Sequence, residues 1–512
     1  MKHILVALAA ILVAGQVHAS EYLVKYRNDY SVQTMSFNSN ASIQALDYNA
    51  AANLVKVNIP DDNKVMSLVQ LISDPNIEYV VPNITLHALD VVPVEQQTLQ
   101  TQWAIQKIQA EKAWADAGNK GSKSVIVAVI DTGVDYKHKN LASNMVQGYD
   151  FKDNDNDPMD ETSAQNPGHG THCSGIIGAT GLVDGGTTGI SPTVSIMPLR
   201  FLGADGSGDL NNAIKAIDYA IANKVNVISA SWGAAVDHAT AQPLIDAIAR
   251  AEKAGIVFVV AASNDGQNND SYEVYPANAG LTNTISVAAS DSSDNKPSWS
   301  NYGRAKVQLA SPGDGIMSTL PGDKYGNLSG TSMATPLVAG LVALVKAQDA
   351  NLTPMEIRAV LQATGDKVSI QTQCDCRINA ANAIDAIKAH KMIVSPYGAT
   401  YKKGDKAQFE AIYGKAPLTF TSSTPAVATI DNNGQFVAVS NGTTTITVKD
   451  ATGATATSYN INVADQATPP PDNGGGGGTP GMPGGDKCPL DNPQICQAAC
   501  QFMPSLPWCK SN

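Results

Sequence analysis

The stretch Ser124-Val125-Ile126-Val127-Ala128-Val129-Ile130-Asp131-Thr132-Gly133-Val134-Asp135 decides the fold class. Its apolar run does not alternate with polar residues. It therefore reads as a strand buried on both faces, of the kind found in parallel sheets covered by helices. Asp131 stands at the carboxyl end of that strand, just ahead of a turn glycine. Open α/β sheets place their ligand sites at that end of the strands, which makes Asp131 a candidate functional carboxylate. Val257-Phe258-Val259-Val260-Ala261-Ala262 repeats the pattern and ends in Ser263-Asn264-Asp265-Gly266. The expected class is α/β.

Two further stretches supply reactive side chains. In Gly168-His169-Gly170-Thr171-His172-Cys173-Ser174-Gly175, glycines flank a histidine and apolar Ile176 and Ile177 follow. In Gly330-Thr331-Ser332-Met333-Ala334-Thr335-Pro336, a serine lies between small residues at the start of a long apolar, helix-like segment. Free N–H groups and the helix dipole favour negative charge at such a start, which suits a nucleophile beside which an oxyanion forms. Serine needs a neighbouring base, and histidine titrates near neutrality. A buried carboxylate then fixes the imidazole tautomer. Residues Met333 to Val345 are largely apolar but end at Lys346, short of the roughly 20 residues a membrane span requires. With Pro336 tolerated in its first turn, the segment reads as a buried core helix.

The motifs VIDTGVD, HGTHCSG and GTSMATP, in that order, resemble the three signatures of the subtilisin-like serine proteases over residues 100–391. The order Asp, His, Ser is that family's own and is recognised as such. The resemblance implies Ser332 as nucleophile, His169 as general base and Asp131 as its orienting carboxylate, with His172 a structural neighbour. It implies Asn264 as a side-chain donor to the oxyanion, beside the Ser332 N–H. Losing one such donor costs about 3 to 4 kcal/mol, a magnitude that comes from subtilisin and not from this chain. The family usually carries glycine where Ser263 stands.

An extended substrate would bind between two edges, one at Ser231, Trp232 and Gly233 and the other at Gly206, Ser207 and Gly208. Val274 matches a position at the floor of the pocket for the residue before the scissile bond, where a small residue often stands. Valine there implies a medium-sized apolar preference, Leu or Ala over Phe or Tyr. Asp265 at the pocket rim would instead attract Lys or Arg.

Asp150, Asp153, Asp155, Asp157 and Asp160 crowd into the segment before His169. Such carboxylates repel one another unless a hard cation with oxygen ligands is bound. DFKDNDNDPMD resembles a calcium loop of thermitase-like relatives, which implies Asp150, Asp155 and Asp157 as ligands of a structural Ca2+. The alternative is a solvated acidic loop. A second family site lacks its aspartate here, where Asn140 stands.

The chain has 512 residues and a formal net charge of −12, which argues against a nucleic-acid surface. Residues 1–19 read as a secretory signal, so the product is expected to be secreted, with periplasmic transit open. Residues 20–90 resemble the family's inhibitory propeptide, a small α+β unit, with strands at Glu21–Tyr26, Leu54–Ile59 and Ile77–Val81. Its removal is expected between Leu86 and Thr101; a permanent N-terminal domain is the alternative. Residues 392–465 combine short alternating strands with turns such as Asn432-Asn433-Gly434 and resemble a bacterial Ig-like β-sandwich. That module would bind a surface or act as a spacer.

Residues 466–486 read as a Pro/Gly-rich linker, and 487–512 as a Cys-rich tail. Its Cys488, Cys496, Cys500 and Cys509 suggest two disulfides in one of three pairings. Cys374 and Cys376 are candidates to pair with each other, leaving Cys173 as a buried free thiol. The leading expectation is a monomeric, secreted serine endopeptidase made as a zymogen, acting on polypeptides and inhibited by its own propeptide. A catalytically silent surface-binding protein is the competing class.

Overall fold

The computed structural model describes residues 20–27, 43–61, 64–89, 92–93, 102–183 and 185–465. The expected signal (1–19), linker (466–486) and four-cysteine tail (487–512) lie outside the described residues.

The N-terminal unit is a four-stranded antiparallel sheet with one helix. Strands β1 (Glu21–Tyr26), β2 (Gln44–Asn49) and β3 (Leu54–Asn58), helix α1 (Lys64–Ser73) and strand β4 (Ile77–Pro82) give the order β2-β3-β1-β4. Side chains alternate across the sheet. Tyr22, Val24, Val55 and Val57 pack with Leu68 and Leu71 of α1. Leu23, Leu54 and Val81 face the other way and join the core of the main domain. The short strand β5 (Thr85–Ala88) leaves this sheet for another, and β6 (Val92–Pro93) joins a third.

Two short helices, α2 (Trp103–Lys107) and α3 (Ala110–Ala117), lead into the main domain. Its first strand, β7 (Ile126–Asp131), sits inside a nine-stranded sheet. The chain continues through β8 (Tyr149–Asp150), α4 (His169–Gly178), β9 (Ser195–Arg200), β10 (Ser207–Asp209), α5 (Leu210–Ala222), β11 (Val227–Ala230) and β12 (Trp232–Ala235). Helix α6 (Gln242–Lys253) precedes β13 (Val257–Ala261), β14 (Val274–Tyr275), β15 (Thr284–Ser290), β16 (Leu309–Pro312), β17 (Ile316–Leu320) and β18 (Lys324–Ser329). Then come α7 (Thr331–Gln348), α8 (Pro354–Thr364), β19 (Asp366–Lys367), β20 (Cys376–Arg377) and α9 (Ala380–Lys388).

The sheet order is β19-β20-β16-β15-β13-β11-β7-β9-β8, and only the β19–β20 pair is antiparallel. Strand β7 is apolar on both faces because both are covered: Val127 and Val129 pack with α7, Ala128 and Ile130 with α5 and α6. Helix α7 is buried from Thr331 to Val345. The core expected of Met333–Val345 is therefore found. Among the described residues no helix is long and apolar enough to cross a membrane.

From β21 (Ile393–Ser395) to β31 (Ile461–Val463) the chain forms short strands around Phe409, Phe420, Phe436, Ile446 and Val448. The expected turn at Asn432–Gly434 links two antiparallel strands, with Gly434 at φ 78. This sandwich is docked, not strung on a tether. Ile393 and Ile412 join the core of the main domain, and Tyr413 Oη donates to Asp349 at 2.9 Å. Cys374 and Cys376 form a disulfide, and Cys173 is free and buried.

Candidate active site

A strand end and two helix starts meet at the carboxyl edge of the sheet. Asp131 ends β7, His169 opens α4, and Ser332 lies in the first turn of α7; each is at most 1% exposed. Helix α4 approaches β7 closely because position 170 is glycine. A Cβ there would stand 2.1 Å from the Gly133 carbonyl oxygen.

His169 Nδ1 and Asp131 Oδ1 are 2.8 Å apart, and the same Oδ1 accepts from the Thr132 N–H at 2.7 Å. This fixes the ring with a proton on Nδ1, so Nε2 carries the lone pair. Nε2 makes no hydrogen bond. Burial alone would lower the His169 pKa, but the charge and hydrogen bond of Asp131, with Asp160 behind it, raise it on balance. Asp160 is held by Thr132 Oγ1, by Thr171 through both its N–H and Oγ1, and by Asn166. Burial still pushes its carboxyl up to about 6.

Cys173 ties this dyad to the serine. Its Sγ lies within 4.8 Å of ligand atoms of both Asp131 and His169, and 3.5 Å from the Ser332 carbonyl oxygen, to which it donates. Burial pushes the thiol's pKa well up, so it stays protonated at neutral pH. His172, in contrast to His169, is pushed down to about 3, chiefly by burial, and its Nε2 bonds the Gly326 carbonyl at 3.0 Å. It is a neutral structural ring. Ser332 Oγ donates to the Ser231 carbonyl at 3.2 Å and not to His169. Catalytic hydrogen bonds are often unformed until substrate is in place.

Asn264 follows β13, with Ser263 before it at φ 95. Its Oδ1 accepts from both the N–H and Oγ1 of Thr331, at 2.9 and 2.8 Å, which turns the NH2 end towards Gly330. A Cβ on Gly330 would lie 3.2 Å from Asn264 Nδ2 and 3.5 Å from Ser332 N. Both donors therefore border one spot beside the serine. Thr331 was not legible in this role, since its neighbour Ser332 explains the motif by itself.

The two expected binding edges are β10 and β12, and the space between them is filled by the chain's own β5. His87 and Leu86 pair with Ser207 and Gly208 on one side; Ala88 and His87 pair with Trp232 and Gly233 on the other. Ala88 N donates to Gly206 O at 2.8 Å, and Leu89 N to Ser231 O at 3.3 Å. Leu86 is fully buried and Leu89 is 9% exposed. Beyond it, Val92 and Pro93 pair with Ser329 and Leu328, just ahead of Ser332. Val274 pairs with Ala235 and is buried, its Cγ1 3.5 Å from where a Gly233 Cβ would stand.

A family model described as the subtilase family matches residues 122–406, more than half of the chain. The chain belongs to the subtilase family. As a subtilase it is a serine-type endopeptidase, and its substrates are polypeptides. It is 41% identical to thermitase of Thermoactinomyces vulgaris over 268 residues, 52% of this chain and 89% of that one. It is 38% identical over 315 residues to the thermophilic serine proteinase of Bacillus sp. (strain AK1), covering 61% and 74%. Subtilisin amylosacchariticus of Bacillus subtilis subsp. amylosacchariticus is 34% identical over 296 residues, covering 58% and 72%. A second model, of the intimin immunoglobulin-like domain, matches residues 403–452, within the sandwich.

In this subtilase, Asp150, Asp155 and Asp157 do not gather into one set of ligand atoms. Among the described residues the only such group is Asp131, His169 and Cys173. A backbone bridge does bring Asp150 opposite Asp155. However, the Asp150 carboxylate turns inward: Oδ1 accepts from the N–H groups of Lys152 and Asp153, and Oδ2 from Arg200. Arg200 also binds Asp153 and Glu161. The charge expected to be met by calcium is met at Asp150 by a guanidinium. Asp150, as placed, is committed to Arg200 and the main chain, whereas Asp155 and Asp157 are exposed.

Proposed function

We propose that the chain is a secreted zymogen whose Asp131, His169 and Ser332 hydrolyse peptide bonds through an acyl-enzyme. His169 Nε2 takes the Ser332 Oγ proton as the oxygen attacks the carbonyl carbon. Asp131 holds the ring and stabilises the imidazolium. The carbonyl oxygen, now an oxyanion, accepts from Asn264 Nδ2 and the Ser332 N–H. The imidazolium returns its proton to the leaving amine, and water repeats the sequence on the ester. The observation that carries this reading is the buried Asp131–His169 contact with its free Nε2, tied through Cys173 to a serine beside two converging donors.

The zymogen reading is supported by β5 lying between β10 and β12. The described chain is paired up to Leu89, whose N–H donates to the same Ser231 carbonyl that accepts from Ser332 Oγ. Cleavage after Leu89 is the register's natural outcome, and it agrees with an aliphatic preference set by Val274. Calcium, if bound on the acidic loop, would rest on Asp155, Asp157 and main-chain carbonyls; adding it to chelated protein would then raise Tm. No catalytic step runs through it.

The test is labelling by a fluorophosphonate. The wild type is expected to label at Ser332 and to release a fragment ending at Leu89. Ser332→Ala is expected to do neither and to accumulate uncut. Labelling or processing of Ser332→Ala at the wild-type rate would overturn the proposal.

A further inference from the structure

One buried carboxamide is left without a role by this chemistry. Asn301 is fully buried on the segment Trp299–Tyr302, which runs beside the loop that carries Asn264. Its Oδ1 accepts from the N–H groups of Asp265 and Gln267, both at 2.9 Å. Its Nδ2 donates to Asn269 Oδ1 at 2.9 Å, and its main-chain N–H donates to the Ser263 carbonyl at 3.0 Å. Asn269, itself 1% exposed, passes the contact on by donating its Nδ2 to the Ala262 carbonyl at 2.9 Å. The backbone on both sides of Asn264 is therefore held by Asn301, directly at residues 263, 265 and 267 and through one relay at 262.

The loop needs such support. Ser263 adopts φ 95, a region that glycine prefers, and Gly266 follows at φ 68. A non-glycine residue there persists only where its surroundings over-determine it. Asn301 meets the demand because only a carboxamide offers an oxygen with two lone pairs at one corner and N–H donors at the other. Aspartate would keep the acceptor and lose the donor to Asn269. Alanine would lose both.

We propose that Asn301 is a positioning residue for the oxyanion donor Asn264, fixing where its NH2 group points without touching substrate. The proposal rests on the functional reading above. It predicts a loss in the transition state and not in ground-state binding, because the peptide main chain is expected to pair with β10 and β12, to which Asn301 makes no hydrogen bond.

The experiment is a double-mutant cycle on the mature enzyme with a peptidyl anilide. Asn301→Asp is expected to lower kcat about tenfold, a fraction of what deleting a whole donor costs, with KM within about twofold. In the Asn264→Ala background the same change is expected to alter kcat by less than about twofold, because the group being positioned is gone. Affinity for a peptidyl boronate, which forms a tetrahedral adduct, should fall in step with kcat. Asn301→Ala is the second variant, and Asn301→Asp stands alone if that one does not fold. Equal losses in both backgrounds, or an unchanged kcat, would overturn the positioning role. Wild-type labelling by the fluorophosphonate is checked first. Labelling with additive losses removes only this inference, whereas no labelling removes the functional reading beneath it.

Discussion

At the scale of single residues, the His169 pKa sets the working range. Burial opposes protonation, but the Asp131 carboxylate and, behind it, Asp160 outweigh it and raise the pKa above its ordinary value of about 6.5. A base must be neutral to act, so a raised pKa removes activity at a higher pH. The acid limb of kcat/KM is expected to have its midpoint above about 6.5, read from a pH profile. A midpoint near 5 would contradict the arrangement. Ser263 makes a second case. At φ 95 it is strained, and its Oγ bond to Asp265 at 2.7 Å recovers only part of the cost. Ser263→Gly is expected to raise stability by about 1 kcal/mol, seen as an increase in Tm. The Asp131–His169 contact was legible because motif and chemistry coincide there. Thr331 and Asn301 were not, because their parts are hydrogen bonds between segments far apart in sequence.

Elements were legible where burial leaves a strong pattern. The unbroken apolar runs of β7 and β13 announced strands covered on both faces, and both are found there. Strand β2 was not read, since most of it is exposed or half-buried at a sheet edge. Nor was β5, whose four residues alternate too briefly and which owes its form to the groove around it. In the acidic loop after β8, sequence shows the carboxylates but not the arginine that turns towards Asp150 and Asp153. Arg200 is 3% exposed and Asp150 1%. Removing one partner of a buried ion pair leaves the other charge stranded, at a cost of about 3–5 kcal/mol. Arg200→Met should therefore lower stability by about that amount in denaturant unfolding. Adding Asp150→Asn should recover much of it, since the amide oxygen still accepts from Lys152 and Asp153. A loss unchanged in the double variant would mean that Arg200 acts by packing.

At the scale of the whole molecule, the N-terminal unit holds on in two ways. A strand fills the groove, and a polar rim meets α5 and α6: Asp47 with Lys215 and Asn211, Asn49 with Asp218, and Tyr79 with Asp246. The magnitudes differ. Burying a leucine such as Leu86 stabilises by about 1.5–3 kcal/mol, whereas a partly exposed ion pair contributes about 0–1 kcal/mol. Burial would raise the Asp47 pKa, but the bonds from Lys215 and Asn211 hold it below the usual carboxylate value. A lowered pKa gives a contribution that is full above about pH 3.9 and lost as pH falls through the bound-state value, so the rim is intact at neutrality. On the zymogen reading proposed above, Asp47→Asn is expected to weaken inhibition by the released fragment only about two- to fivefold at neutral pH, with less sensitivity to salt. Leu86→Ala should weaken it by about a hundredfold or more, as for any large-to-small change in a packed site. Inhibition constants of the fragment on the mature enzyme would rank the two. Equal effects would mean that the charged rim contributes as much as the filled groove.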